Sequence, residues 1–260
     1  MRLHVLGSGS PEPYARRASS SYLIETGGQR LLFDCGGGAV GRLLEAGFQP
    51  TDIDALFFSH LHSDHMLGYP RLIHAAWEMG GKEIKVFGPA PLAHIHERLF
   101  GRDGALAHDL RARTEAKESQ EVWRARGGVV PRPWPTPSIT EIPAGFSHTG
   151  EGWQLTSCEV PHAQPHLDCM AFRLEADGKS FVYSGDAGLC PEMEKLCAGA
   201  DLLLHWCYRA EGHRVHPAID AKSPVPSEIA QFAQAAGVKR LMLTHFRVQM
   251  DEPGGLAQIC

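Results

Sequence analysis

The segment His60-Leu61-His62-Ser63-Asp64-His65 places four potential metal ligands within six residues, directly after the apolar run Ala55-Leu56-Phe57-Phe58. Imidazole and carboxylate groups are costly to bury without partners, so core packing does not explain this density. A cation is the natural partner. A tight loop after a strand can aim His60 and His62 at one ion while Asp64 and His65 turn toward a second. Neutral imidazoles with a carboxylate suit zinc, with manganese and iron as alternatives. A histidine-rich surface loop is the plain alternative, and it loses ground as further candidate ligands are met along the chain.

Those further ligands follow one repeated design. The stretch Trp153 to Val160 leads through Pro161 to His162, and Ser180 to Ser184 leads through Gly185 to Asp186. Leu202-Leu203-Leu204 leads to His205, and Leu241-Met242-Leu243-Thr244 leads to His245. Buried strands that each end in a histidine or aspartate set their ligands along one edge of a sheet, where loops on a rigid scaffold carry chemistry. Upstream, Leu3 to Leu6 reads as a strand closed by Gly7-Ser8-Gly9-Ser10-Pro11, and Ser20 to Glu25 with Arg30 to Phe33 makes a hairpin around Gly27-Gly28. The Gly-Ser loop, with Arg16 and Arg17 beyond it, lacks the lysine and helix of a phosphate cradle and reads as a turn. Val40 to Ala46, Leu67 to Met79, Pro191 to Cys197 and Ser227 to Ala236 read as helices, and Ile84 to Phe87, Ile139 to Ile142 and Met170 to Glu175 as strands. The class is mixed α/β.

Residues 101 to 137 differ in kind. They are rich in arginine, end in Pro131-Arg132-Pro133-Trp134-Pro135, and are too short and polar to build a core of their own. They read as a helical insertion in a single domain spanning residues 1–260. The insertion is either a solvated excursion or a lid in which Trp123 or Trp134 and some arginines touch substrate.

Composition bounds the partners. The 260 residues are 43% hydrophobic, enough for a sizeable core, and 25 basic against 30 acidic side chains give a net charge of −5. That balance offers no global attraction to nucleic acid or to an anionic membrane. The seven cysteines (35, 158, 169, 190, 197, 207 and 260) form no C-x-x-C pair and are odd in number, which reads as reduced thiols in a cytoplasmic protein. No apolar leader opens the chain and no stretch nears the roughly 20 apolar residues of a membrane span. The expected partner is a small molecule, with a homodimer compatible with the sequence.

The pattern H-x-H-x-D-H, a distant histidine, an aspartate in a Ser-Gly-Asp turn and a last histidine after an apolar strand together resemble the metallo-β-lactamase superfamily over essentially the whole chain. The resemblance implies a four-layer αββα sandwich of two facing mixed β-sheets with outer helices and a dinuclear centre at one edge. It implies two divalent ions, zinc first. One would be held by His60, His62 and His162, the other by Asp64, His65 and His245, with Asp186 bridging. Leu6-Gly7-Ser8-Gly9-Ser10-Pro11, Arg17, Ser20-Ser21 and Phe33-Asp34-Cys35-Gly36 are similar to the branch of tRNA 3′-processing endonucleases, small phosphodiesterases and arylsulfatases. True β-lactamases of the commonest dizinc class carry a cysteine where Asp186 stands, which disfavours that activity. The tRNA-processing members carry a His-Glu-Ala-Thr motif where this chain reads His205-Trp206-Cys207-Tyr208. They also carry a histidine where Ser223-Pro224-Val225 stands, and a long arm where only 24 residues separate His162 from Asp186. With the acidic charge, these features point away from tRNA and toward a smaller substrate, and the arginines of the insertion suggest an anionic one.

At such a site a metal-bound hydroxide replaces a protein nucleophile and attacks phosphorus, sulfur or a carbonyl carbon. Hydrolysis of a small phosphodiester or related sulfate ester is the leading expectation. A lactonase or thioesterase is the alternative on the same site, and oxygen chemistry at iron ranks below both. Asp64 is both ligand and the group best placed to hold or shuttle a proton. His205 and His216, with His213 behind them, are the candidate acids for the leaving group. Asp34 either accepts a hydrogen bond from a ligand imidazole or simply forms a turn.

Overall fold

The computed structural model describes residues 1–213, 216–220 and 222–251. Strand β1 (Arg2–Gly7) pairs antiparallel with β2 (Ser21–Thr26), which pairs antiparallel with β3 (Gln29–Phe33) across the Gly27-Gly28 turn. Helix α1 (Ala39–Glu45) crosses over to β4 (Ala55–Phe57), parallel to β3. Then come α2 (Ser63–Met66), α3 (Tyr69–Glu78), β5 (Lys85–Gly88), α4 (Leu92–Phe100), α5 (Ala107–Glu115), α6 (Lys117–Ala125) and β6 (Ser138–Glu141). Strands β1 to β6 form the first sheet in sequence order.

The second sheet runs backwards. Strands β7 (Ser147–Gly150), β8 (Trp153–Glu159), β9 (Met170–Ala176) and β10 (Lys179–Tyr183) pair antiparallel, and β11 (Leu202–Trp206) and β12 (Leu241–Thr244) add parallel. Helices α7 (Pro191–Cys197), α8 (Pro217–Asp220) and α9 (Pro226–Ala235) occupy the connections around β11.

Alternation along the strands makes three cores between four layers. Tyr22, Ile24, Leu31, Phe33 and Phe57 face Leu155, Phe172, Phe181 and Leu204 between the sheets. Leu23, Leu32 and Leu56, one residue out of phase, face α1, α3 and α4 on the other side. Val182 and Leu203 likewise face Met193 and Cys197 of α7 and Ala233 of α9. The outcome is the αββα sandwich, mixed α/β as expected.

Two elements go beyond the expected set. The helix expected over Leu67 to Met79 forms as α3, and a separate short helix, α2, precedes it across Gly68, whose backbone packs onto the loop after β3. A Cβ at Gly68 would stand 2.3 Å from the Gly36 carbonyl oxygen. Strand β7, Ser-His-Thr-Gly, gives no apolar alternation because it is a short, largely exposed edge. The segment after residue 101 folds as α5 and α6 and docks on α3. Arg132 lies 3.6 Å from the Trp77 ring and 4.3 Å from the Trp123 ring, with Glu78 at 3.0 Å, and Trp134 stacks on Arg102 at 4.1 Å. Both tryptophans considered for substrate contact are engaged in this docking. Six described cysteines are free thiols, and Cys260 lies outside the described residues. Among the described residues no helix is long and apolar enough to cross a membrane.

Candidate metal centre

Strand ends of both sheets meet at one edge. His60 and His62 follow β4, and Asp64 and His65 sit in α2, not in a free loop. His162 follows β8, Asp186 follows β10, and His245 follows β12 with φ of 64°. All seven predicted ligands come together. One group holds ligand atoms of His60, His62, His162 and Asp186, the other those of Asp64, His65 and His245, each group within 4.8 Å. The close approach depends on Gly36, where a Cβ would meet the Asp64 carbonyl oxygen at 2.2 Å.

Asp186 stands between the groups. Its Oδ1 is 3.3 Å from His65 Nε2, and its Oδ2 is 3.2 Å from His245 Nε2, 3.7 Å from His162 Nε2 and 4.0 Å from His60 Nε2. His245 Nε2 donates to Asp64 Oδ2 at 3.0 Å. His62 Nδ1 lies 3.0 Å from His60 Nε2 and 3.2 Å from His162 Nε2, so three ring nitrogens crowd one point.

Asp34 sets which nitrogens are bare. It is fully buried, in the left-handed region at φ 55°, and accepts four hydrogen bonds. The Ser59 backbone N–H donates to Oδ1 at 2.8 Å, while the Ser59 hydroxyl, His65 Nδ1 and the Tyr183 hydroxyl each donate to Oδ2 at 2.7 Å. Since the Ser59 proton goes to Asp34, His60 Nδ1 donates to Ser59 Oγ at 3.0 Å. Both His60 and His65 therefore turn an unprotonated Nε2 toward Asp186 in their neutral forms. Of the two expectations for Asp34, the structure shows the imidazole partner, through its bond to His65. Ser59 and Tyr183 escaped the sequence reading, although each lies within three residues of a predicted ligand.

The protonation pattern matches a cation site. Burial, reinforced by His65, pushes His60 well below the usual histidine range, and burial pushes His62 down and His162 to about 4. Burial also opposes charge on His65 and His245. The carboxylates outweigh it: Asp186 and Asp34 raise His65 well above its usual value, and Asp186 with Asp64 raises His245 to about 9. Asp186 is held well below the carboxylate range, against burial, by His245 and His65. Buried His65 Nε2 and Asp186 Oδ1 lack hydrogen-bond partners. Five imidazoles and two carboxylates with orphaned lone pairs facing each other fit divalent ions.

The candidate acids lie outside both groups. His205 is fully buried, donates from Nδ1 to the Trp206 carbonyl at 2.7 Å, and is held down to about 4 by burial. Its Nδ1–H is committed to the Trp206 carbonyl and burial disfavours the charged form, so its surroundings do not favour the role of acid expected for it. His216 is exposed at the start of α8, where its Nδ1 accepts from the Ala218 N–H at 3.2 Å, and His213 is also exposed. Asp64 stays within the site.

Comparison with known proteins agrees with this geometry. The family described as Beta-lactamase superfamily domain matches residues 29–246. A protein named Ribonuclease Z from Mycobacterium bovis (strain BCG / Pasteur 1173P2) is 30% identical over 256 residues, covering 95% of this chain and 86% of that protein. The structure of human tRNase Z, short form, superposes with a TM-score of 0.71 at 22% identity, covering 97% of this chain and 95% of that one. Zinc-bound PqqB from Methylobacterium extorquens does so with a TM-score of 0.67 at 16% identity, covering 100% and 95%. These findings overturn the expectation that tRNA is not a partner. Net charge sums the whole surface, whereas phosphate contacts are local.

Proposed function

The chain belongs to the metallo-β-lactamase superfamily and is a metal-dependent hydrolase, and from that premise we propose that it cleaves phosphodiesters, RNA included, at a two-ion site. The observation that carries the reading is Asp186, whose two oxygens reach toward both ligand groups within 4.0 Å. Such ions, with zinc our assignment, supply a hydroxide at neutral pH and polarise the phosphoryl oxygens.

The chain's own groups do the rest. His60, His62 and His162 would hold one ion and Asp64, His65 and His245 the other, with Asp186 shared. Asp34 orients His65 directly and His60 through Ser59. Asp64 is held ionised, against burial, chiefly by its hydrogen bond from His245. We assign its carboxylate to take up the proton released when the bound water becomes hydroxide. As the P–O bond to the leaving alcohol breaks, that proton is available to the departing oxygen.

Zinc-loaded protein assayed against bis-p-nitrophenyl phosphate, a short RNA, an aryl sulfate, a lactone and a thioester tests this reading. Turnover of the phosphodiesters is expected. Turnover confined to the lactone or thioester would replace the reading with carbonyl chemistry.

A further inference from the structure

Beside the ligand cluster runs a row of flat groups that metal binding does not use. Trp206, at the end of β11, is 4% exposed and stands edge-on to one ring of each ligand group: His162 at 5.4 Å and 78°, His245 at 6.1 Å and 80°. Two residues on, Tyr208 stacks on Trp206 at 5.7 Å and 28° and is partly exposed. The Arg247 guanidinium, two residues past His245, lies 5.0 Å from the Tyr208 ring centre. Its side chain is 22% exposed and tethered to Glu12 at 3.1 Å. The indole N–H of Trp206 has no hydrogen-bond partner, so polar satisfaction does not account for a tryptophan here.

We infer that the Trp206–Tyr208–Arg247 stack is a platform for a planar aromatic group carried by the substrate next to its scissile phosphate. The inference rests on the phosphodiesterase reading. Stacking on tyrosine or on a guanidinium plane accepts any flat π-face. Two ring-to-ring steps, of 5.7 and 5.4 Å, connect Tyr208 to the ligand His162, so the stack borders the ligand cluster where a phosphate would be held. The cation at the outer end favours both an electron-rich ring and an anionic ester. A nucleobase of RNA and a simple aryl ester share this chemistry.

Binding of product-like probes to zinc-loaded protein, measured by titration calorimetry, separates the two sources. AMP against ribose 5-phosphate isolates a nucleobase, and phenyl phosphate against methyl phosphate isolates an aryl ring. Stacking predicts that the wild-type protein prefers the aromatic member of at least one pair by about 10-fold or more. Tyr208→Leu should bring the ratio below about threefold, leave affinity for the non-aromatic member unchanged and retain metal, while Tyr208→Phe preserves the preference. Arg247→Gln, which should also reduce the ratio, carries the test if Tyr208→Leu does not fold. Equal affinities within both pairs, or a preference untouched in these variants, overturns the platform. The phosphodiesterase reading fails by a different result, the absence of diester turnover by wild-type protein, whichever way these ratios fall.

Discussion

Asp34→Asn is the perturbation that most cleanly separates scaffold from metal chemistry. Asparagine tolerates the φ of 55° at this position, so the backbone is left alone. The carboxylate accepts from four donors, three on Oδ2 and one on Oδ1. An amide cannot serve all four. With its oxygen at the Oδ1 position, the NH2 faces His65 Nδ1–H; the two hydroxyls can rotate to accept, but the imidazole must shift its proton to Nε2, the atom 3.3 Å from Asp186. With the amide turned over, the Ser59 backbone N–H is left without an acceptor and His65 keeps only a neutral partner. Either orientation forfeits one hydrogen bond to a buried charge, about 1.5–3 kcal/mol, and weakens His65 as a ligand. Loss of such an orienting group lowers metal affinity about 10–100-fold. Competition for zinc against a fluorescent chelator measures this, with Tyr183→Phe as the control that removes one donor to Asp34 but leaves its bond to His65. Asp34→Asn retaining zinc within about threefold of wild type would refute the assignment of Asp34 as the group that sets the His65 tautomer.

Other consequences are independent of that one. The neutral His205 contributes stability that is complete above its unfolded pKa near 6.5 and is lost as pH falls toward its folded value of about 4, a span of about 3 kcal/mol. In urea unfolding at pH 7.5 and 5.0, His205→Leu should shrink the wild-type difference by about 2 kcal/mol, and an equal difference in both proteins would show that His205 titrates normally. Arg132→Ala empties the slot between Trp77 and Trp123 and removes one of the three arginines paired with Glu78. It should lower Tm by about 4–8 °C with the Michaelis constant for the best phosphodiester unchanged; a changed constant would assign residues 101 to 137 a part in substrate binding. Gly36→Ala drives a methyl into the backbone carrying Asp64 and should reduce metal content together with stability, by about 1–3 kcal/mol; full metal occupancy at wild-type Tm would contradict the close contact.

The ligand set was legible because its chemistry survives without structure. Each of His162, Asp186 and His245 follows an apolar strand, and strand ends on one sheet edge must converge. The αββα layering came from the resemblance, and alternation along β2 and β3 agrees with it, since Leu23 and Leu32 face one core while Tyr22, Ile24, Leu31 and Phe33 face another. The acid assignment was not legible. His205 also follows an apolar run, but it lies within β11 and points toward Phe232 of α9, where burial neutralises it. Strand parity alone puts Trp206 on the opposite face, next to the ligands. The hydrogen bonds of Asp34 with Ser59 and Tyr183 join three strands, and contacts of that range leave no local pattern to read. Exclusion of tRNA failed for a related reason, because whole-chain charge averages away any local basic surface.

The most direct test of a metal-dependent phosphodiesterase is one assay followed through metal removal and return. Hydrolysis of bis-p-nitrophenyl phosphate by wild-type protein and by Asp186→Ala would be measured as purified, after exhaustive chelation and after zinc or manganese is restored, with metal content determined at each stage. The account predicts turnover by wild type that vanishes on chelation and returns with close to two ions per chain, and an Asp186→Ala protein that binds less metal and stays inactive. Turnover that persists in chelated protein, or survives in Asp186→Ala, would contradict it.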